Sequence, residues 1–438
     1  MGIRKQLKDM DVNISSKCRQ IEELKLECSR SNRGASVLSD TLFVSRDHAQ
    51  TRRNNNTLVF DDKEYNFDMV LENLKDDNSN YVIVDFDGGY YEKTVADFRA
   101  RGYAIKSVNL MDSEKSDGYN PFAYITNEVD VDIIVQCIID NTYSAYYLKA
   151  SDNERILIKN LEQKFLKTLL SSYMKYGTSK TLTAAVNLLA SEDREDKLER
   201  LFSGQFSQGP NEMECRRFQI FKRDAGERYS DIIQSCYERI NFFKDDRLVA
   251  LTKKESLNFQ HLYLAKEVLY IIIPSNLRQV EMFTSMILSQ IYYTLCNETR
   301  KNNTDRMVMI YLNYFSDIGA IVNFERMLPE FHHYNVGSML HINNFASVRR
   351  IYSKWEEVFD SCDSIVYLGV NDELTQQYVL EHADSAIIRK TKMVGRDVYK
   401  ISAIKADEIK SIEENECIVA IKGLGTFLST RCGATIIE

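Results

Sequence analysis

Four charged residues lie at a point in the chain where many proteins bind phosphate. They are Asp61, Asp62, Lys63 and Glu64, and they join an apolar run, 58–60, to residues 67–74 with helical apolar spacing. A strand, a tight loop and a helix N-terminus form the usual phosphate-binding unit, in which glycines let backbone N–H groups wrap the phosphates. This loop has no glycine, and each carboxylate would repel a nearby phosphate by on the order of 1 kcal/mol or more.

A second pair of carboxylates follows the next apolar run, in the sequence VIVDFDGG. Asp85 and Asp87 resemble the first motif of the haloacid-dehalogenase-like phosphohydrolases, where they would be nucleophile and acid/base with Mg²⁺. The motif is only four residues long. The downstream Lys and acidic pair that this family also needs have no assignable place in the chain. A Mg-dependent phosphohydrolase is therefore a remote alternative.

Composition limits the protein class. The chain has 438 residues, 44% apolar content, 4 prolines and 17 glycines, which is enough for two or three domains without long disordered linkers. No apolar run reaches the 18 or so residues that a membrane span needs, and the charged N-terminus does not resemble a signal peptide. The nine cysteines form no CxxC pair and the six histidines form no HExxH. We therefore expect a cytoplasmic protein with reduced thiols and no metal site.

Charge is unevenly distributed along the chain. Residues 1–60 contain 11 Lys/Arg and 7 Asp/Glu, whereas residues 61–140 contain 7 Lys/Arg and 18 Asp/Glu. A segment this acidic repels polyanions at short range, although salt screens the effect beyond about 8 Å. The pattern argues against direct DNA binding by residues 61–140.

Strand and helix signals alternate over residues 56–125. Apolar runs at 58–60, 81–86 and 104–110 are separated by helical patterns at 67–74 and 93–101. Alternation of this kind predicts a parallel α/β sheet. The following segment is mostly helical, and strands then return in five apolar runs, at 268–274, 307–312, 338–342, 364–369 and 416–423. We predict an α/β sheet flanked by helices and interrupted by an all-helical insertion.

These patterns divide the chain into four parts. Residues 1–50 hold an amphipathic helix over 3–28 and a linker; 51–144 and 246–438 form the two parts of the sheet domain, and 145–245 form the helical insertion. The helix of residues 3–28 has a charged face opposite its apolar one. Packing on its own domain and binding to a partner both remain open for it, as does a position on a membrane surface.

Several collinear stretches resemble the type IV coupling proteins, the TraG/TraD family of conjugative DNA-transfer ATPases. Asp85, Gly102-Tyr103, Asn109-Leu110 and residues 116–122 follow the order and nearly the spacing of that family's motifs. IYLNYFSDIG at 310–319 resembles its Walker B segment, and residues 343–379 and 405–423 resemble later stretches. The resemblance covers about residues 54–423. It implies a RecA-like nucleotide-binding fold, with the insertion as the surface that contacts substrates or partners.

The chain departs from this family where nucleotide chemistry is expected. Residues 61–64 replace the glycine-rich phosphate loop, and Asn313 and Tyr314 replace the Walker B Asp-Glu pair that holds Mg²⁺ and activates water. Asp87 stands where the family has a Lys, and Asn343 where it has a Gln. Asn supplies no anionic metal ligand, and Tyr is a poor base at neutral pH.

The resemblance and these changes together predict a pseudo-ATPase of conjugation or type IV secretion, acting as adaptor or regulator. No catalytic residue and no cofactor are expected. Its predicted partners are proteins of the secretion machinery, such as an active coupling ATPase or a relaxosome protein, and homo- or hetero-oligomers remain open. A partner would also be needed to hold it at the inner face of the membrane. The alternative is an active DNA-transfer ATPase with an unusual phosphate loop, in which Lys63 and Asp85 are remnants and ATP and Mg²⁺ bind.

Overall fold

The structure is a computed structural model that describes most of the chain. It covers residues 34–62, 64, 66–176, 180–203, 212–275, 280–298, 306–343, 345–382, 387–393, 396–402, 409 and 412–434. The amphipathic helix predicted over residues 3–28 lies outside these residues, and so does Lys63.

Thirteen strands are described. They are β1 (Ala35–Val37), β2 (Phe43–Ser45), β3 (Thr57–Asp61), β4 (Ser79–Phe86), β5 (Ala104–Asn109), β6 (Glu267–Ile273), β7 (Met307–Leu312), β8 (Val336–Ile342), β9 (Ser364–Gly369), β10 (Ile387–Met393), β11 (Arg396–Ser402), β12 (Glu416–Ile421) and β13 (Gly425–Thr430). Strands β1 and β2 form a small antiparallel sheet, and the other eleven form one sheet in the order β11-β10-β13-β12-β9-β3-β8-β7-β4-β6-β5. The seven from β9 to β5 are parallel to their neighbours, whereas β12 runs antiparallel to β9.

Helices cover both faces of this sheet. They are α1 (His48–Thr51), α2 (Asn66–Asn73), α3 (Gly89–Ala100), α4 (Glu128–Asn141), α5 (Ala145–Lys149), α6 (Asp152–Tyr176), α7 (Leu182–Leu189), α8 (Arg194–Leu201), α9 (Glu212–Ala225), α10 (Tyr229–Ile240), α11 (Asp246–Thr252), α12 (His261–Leu264), α13 (Val280–Glu298), α14 (Phe324–Met327), α15 (Phe345–Ile351), α16 (Trp355–Asp360) and α17 (Glu373–His382). None of these helices combines the length and hydropathy that crossing a bilayer requires.

Alternate residues of the central strands enter two different cores. Leu58 and Phe60 of β3 face a core that continues through α4, α6 and α13, whereas Val59 faces a core shared with α2 and α3. Both faces of the parallel strands are therefore buried, which explains their near-continuous apolar sequences. The helices between β5 and β6 share the first core with the sheet. The prediction of a parallel α/β sheet interrupted by a helical segment is confirmed.

A buried cation, Arg46, helps to attach the β1–β2 hairpin to the main sheet. Arg46 is fully buried, and its guanidinium donates to Asp76 at 2.6 Å, to Ser79 at 2.8 Å and to Ser36 at 3.0 Å. Asp76 and Ser79 lie at the amino-terminal end of β4, whereas Ser36 is in β1, so a buried ion pair and charge-assisted hydrogen bonds join the hairpin to the sheet.

A short segment covers the outer edge of β5. The Asp117 carboxylate accepts from the Ser107 amide at 3.0 Å, and the Ser116 hydroxyl accepts from the Asn109 amide at 2.8 Å. The Asp117 amide in turn donates to the Ser107 carbonyl. Two residues of the 116–122 stretch, which resembles the coupling-protein family, therefore pair with the backbone of an edge strand.

Candidate functional site

A cavity of about 640 Å³ opens at the carboxyl ends of β3, β4, β6, β7 and β8. In open α/β sheets this edge is where ligands bind. We call it the sheet-edge cavity. Its lining includes the carboxylates Glu64, Asp85, Asp87, Glu281 and Asp317, the amides Asn66, Asn313 and Asn343, and the aromatic rings Phe67, Phe86, Tyr90 and Tyr314.

Asp61 occupies the start of the helix that follows β3. It is fully buried, and its carboxylate accepts from the Asn66 backbone amide at 2.7 Å. Asn66 is the first residue of α2, so Asp61 satisfies one of the helix's unpaired N–H groups. It also places a negative charge at the positive end of the helix dipole. In a phosphate-binding unit this is the place of the phosphate.

Asp85 has the same role one strand away. It is fully buried, and its two oxygens accept from the backbone amides of Tyr90 at 3.1 Å and Tyr91 at 2.7 Å, in the first turn of α3. Burial raises the pKa of Asp85 to about 6, even though the two amides act in the opposite direction. Since both oxygens are held by backbone amides, this geometry gives no support to a nucleophilic role for Asp85.

Asn313, at the position of the Walker B Asp, is occupied by contacts within the fold. Its side-chain amide donates to the Val84 carbonyl at 2.7 Å, and its side-chain oxygen accepts from the side-chain Nδ2 of Asn66 at 3.4 Å. The next residue, Tyr314, donates its hydroxyl to Glu64 at 2.5 Å. Burial and the neighbouring Glu64 raise the pKa of Tyr314, so its hydroxyl stays protonated at neutral pH.

His341 links the end of β7, at Tyr314, to the end of β3, at Asp61. It was not among the site residues predicted from the sequence. Its Nδ1 accepts from the Tyr314 amide at 3.3 Å, so Nε2 carries the hydrogen and donates to the Asp61 carbonyl at 3.0 Å. Burial lowers the pKa of His341 to about 4, which keeps the ring neutral. The available sequence signal for His341 was its place as the penultimate residue of β8. This strand lies beside β7, which leads into the segment that resembles Walker B.

Backbone strain is concentrated at the sheet-edge cavity. Six non-glycine residues of the described chain have positive φ, and three of them line the cavity: Glu64 at 61°, Asp87 at 57° and Tyr314 at 50°. Such conformations cost free energy and cluster at functional sites. The strain supports treating this cavity as the site that the fold is built to present.

The remaining predicted site residues differ in their positions. Asp87 accepts from the Ser275 amide at 3.0 Å, and Asn343 accepts from the Ser316 hydroxyl at 2.9 Å, both at the cavity. Asp62 does not line the cavity, because its carboxylate accepts from the backbone and side-chain amides of Asn371. Glu281 and Asp317 line the cavity but were not predicted.

The described lining fits a magnesium–triphosphate group poorly. No Lys or Arg is among the described lining residues, while Lys63 and residues 276–279 lie outside the described part. The first turns of α2 and α3 are already capped by carboxylates. Within the described residues, no group of three or more His, Cys, Asp or Glu is arranged to hold a metal ion.

Comparison with protein families identifies the fold's relatives. The model of the family described as "Type IV secretory system Conjugative DNA transfer" matches residues 69–391, which is most of the chain. The chain belongs to this family. No curated protein sequence matches it.

Structural similarity to solved proteins is consistent with membership of this family. The chain is similar to the unbound bacterial conjugative coupling protein TrwB, with a TM-score of 0.65 and 13% identity, over 93% of this chain and 90% of that one. It is similar to TrwB in complex with ADP and Mg²⁺, with a TM-score of 0.64 and 13% identity, over 93% and 91%. VirB4 of Thermoanaerobacter pseudethanolicus gives 0.54 and 13%, over 93% and 99%. At these identities the likeness establishes a shared fold, the RecA-like P-loop fold predicted from the sequence.

Proposed function

We propose that this member of the conjugative DNA transfer family is a pseudo-ATPase that acts as an adaptor or regulator of the transfer machinery. The observation that carries the proposal is that the Asp61 carboxylate accepts from the Asn66 backbone amide, at the start of α2, the helix that follows β3. A fully buried carboxylate there competes with any phosphate for the same N–H groups and repels it.

The other changed positions support the same proposal. Asn313 donates to a strand carbonyl and Tyr314 to Glu64, so neither is placed to hold Mg²⁺ or to activate water. These contacts lie within the chain's own fold. Each therefore gives the changed residue a structural role in place of a chemical one.

The helical insertion, residues 145–245, is the surface we propose for partner binding. Five of the large apolar side chains exposed in the described chain lie in it: Leu148, Ile156, Leu157, Met213 and Ile220. Exposed apolar side chains favour protein contacts over contacts with nucleic acid phosphates. The partner class is a protein of the secretion machinery, such as an active coupling ATPase or a relaxosome protein.

The test of the pseudo-ATPase proposal is a titration of the purified chain with Mg-ATP in a calorimeter, beside a thermal-shift assay with an ATP analogue. We expect no heat of binding and no shift up to millimolar ATP. TrwB, which was solved with ADP and Mg²⁺, is the positive control.

The active-ATPase alternative predicts a different result. Micromolar binding that weakens in Lys63→Ala would overturn our proposal, and hydrolysis would then be measured with DNA present. Lys75→Ala is the matched control, because Lys75 is an exposed lysine whose ion pair is with Glu72, outside the cavity. If Lys63→Ala and Lys75→Ala weaken binding equally, the loss is a general effect of charge. That result would contradict a specific contact between Lys63 and a phosphate.

A further inference from the structure

Three of the chain's six histidines meet at the amino-terminal edge of the sheet. The ring centroids of His48 and His332 lie 4.1 Å apart, and those of His332 and His333 lie 3.9 Å apart. The topology explains this meeting, because α1 precedes β3, the 3-10 helix Leu328–Tyr334 precedes β8, and these two strands are parallel neighbours. We call the three rings the histidine cluster.

The central ring of the cluster is poorly placed to carry a charge. His48 Nδ1 donates to the Arg53 carbonyl at 2.9 Å, and His333 Nε2 lies 3.7 Å from a carboxylate oxygen of Glu330. His332 lies between the other two rings, and its buried Nδ1 has no hydrogen-bond partner among the described residues. A charged imidazole donates from both of its nitrogens, so a proton on His332 would leave one N–H group without an acceptor.

The surroundings of His332 favour its neutral form. Burial, His48 and His333 lower the pKa of His332, whereas the Pro329 carbonyl and Glu330 act in the opposite direction. The folded protein therefore binds fewer protons at this ring than the unfolded chain does. It follows that the contribution of the ring to stability falls as pH falls from the ordinary histidine value towards the lowered one.

The elements packed around the cluster carry further charged residues. Asp47, Arg52 and Arg53 flank α1, Glu325 and Arg326 lie on α14, and Glu281 and Glu298 lie on α13. Among the described residues, Glu330 is the carboxylate that lies within ion-pair distance of a cluster ring. It offsets a charge on His333, which is exposed, and leaves the contact between His48 and His332 without a neighbouring carboxylate at that distance.

We propose that the histidine cluster is a pH-sensitive contact, which holds α1 against the Leu328–Tyr334 helix while its rings are neutral and releases α1 when they become charged. Like charges on adjacent rings repel each other, and they do so more strongly where water is partly excluded. The release is local, because Arg46 before α1 and Asn54 after it keep their own hydrogen bonds, to Asp76 and to the Ser361 carbonyl. The proposal does not involve the nucleotide position, so it stands or falls apart from the pseudo-ATPase proposal.

Millisecond hydrogen exchange on the full chain at pH 7.5 and pH 5.5 tests the proposal, after correction for the intrinsic pH dependence of exchange. The reporters are the amides of Gln50, Thr51 and Arg52, which donate to the Asp47 and His48 carbonyls. We expect their protection to fall about tenfold at pH 5.5, while the amides of the central strand β4 keep theirs. Equal protection of α1 at both pH values would overturn the proposal, and so would a parallel fall in β4.

His332→Phe assigns the effect to the cluster, because phenylalanine supplies a ring of similar shape that takes up no proton. We expect the fall in α1 protection between pH 7.5 and pH 5.5 to disappear in this variant. His382→Phe is the matched control, since His382 stacks on Tyr378 at 3.9 Å, outside the cluster, and it should keep the full response. A response that persists in His332→Phe, or one that is lost in His382→Phe, would contradict the proposal.

An NMR titration of the imidazole signals keeps the proposal testable even where His332→Phe fails to fold. The wild-type chain and His48→Gln are compared between pH 5 and pH 8. The pKa of His332 should rise when His48 is replaced, because His48 is one of the groups that lower it. An unchanged pKa of His332 would show that the two rings do not interact through charge, and the proposal would then be wrong.

Discussion

The two edges of the sheet hold their carboxylates in different ways. At the amino-terminal edge, Asp76 pairs with Arg46, and Asp77 lies 3.3 Å from Arg101 and 3.1 Å from Lys266. At the carboxyl-terminal edge, Asp61 and Asp85 accept from backbone amides. At the first edge the carboxylates are paired with Lys and Arg side chains, whereas at the second edge the two carboxylates cap the helices that follow their strands. The same residue type therefore joins side chains at one edge and fixes helix starts at the other.

Among the changes considered, Arg46→Met at the amino-terminal edge should have the largest effect on stability. Removing one partner of a buried ion pair leaves Asp76 without its guanidinium, and we expect a loss of about 3–5 kcal/mol in the free energy of unfolding. Urea unfolding at pH 7.5 measures it.

Arg155→Met is the control for this variant, because Arg155 pairs with an exposed carboxylate and should lose no more than about 1 kcal/mol. Similar losses in the two variants would contradict the view that the Arg46 pair fixes this edge.

Asp61→Ala tests the capping of α2 at the carboxyl-terminal edge of the sheet. The Asn66 amide would lose its acceptor, and we expect a loss of about 2 kcal/mol in the free energy of unfolding. Chemical denaturation measures it, with Asp62→Ala as the neighbouring control, since Asp62 is exposed and bonded to Asn371. Equal losses in Asp61→Ala and Asp62→Ala would contradict a specific capping role for Asp61.

Asp85→Asn should act in the opposite direction and depend on pH. A carboxyl whose pKa is raised to about 6 binds more protons in the folded protein than in the unfolded chain, so its contribution to stability falls as pH rises from about 4 to 6. Neutral Asn avoids this cost, and we expect a gain of about 1 kcal/mol at pH 7.5.

The pH dependence is the check on Asp85→Asn. Thermal unfolding at pH 7.5 and pH 4.5 should show the gain at the higher pH and little difference at the lower. A loss of stability at both pH values would mean that the attraction between the Asp85 carboxylate and the N-terminus of α3 exceeds the cost of burying its charge.

Tyr314→Phe should have the smallest effect. It removes the hydroxyl bond to exposed Glu64 and leaves the ring against Phe86, so we expect a loss of about 0.5 kcal/mol. Differential scanning calorimetry on the variant and on Tyr237→Phe gives the comparison, since Tyr237 is a half-buried tyrosine whose hydroxyl accepts from Lys244 outside the cavity. A loss above about 2 kcal/mol would show that this bond fixes the strained Glu64 loop.

The central fold was predictable because its buried strands have uninterrupted apolar sequences. The predicted runs 307–312 and 364–369 match β7 and β9 to the residue. Strands β1, β2, β10, β11 and β13 were not predicted. They lie in the hairpin or at one side of the sheet, where short or mixed polar sequences carry a weaker periodic signal.

The candidate site was predictable in position but less so in its contacts. The motif residue Asp85 and the changed positions Glu64, Asp87, Asn313, Tyr314 and Asn343 all line one cavity. That Asp61 would turn inward to cap α2 while Asp62 turned outward could not follow from two identical neighbours in sequence. His341, Glu281 and Asp317 came from other segments, and only the tertiary structure brings them together with the loop.

The covering of β5 has a consequence for how this protein can join others. A bare edge strand offers its backbone as a template on which a foreign strand can add and from which aggregates grow. Here Ser116 and Asp117 already occupy the outward amides of Ser107 and Asn109. Addition of a strand is blocked at these two residues, so a neighbour at this end of the sheet contacts side-chain surfaces, which are far more selective than a row of peptide groups.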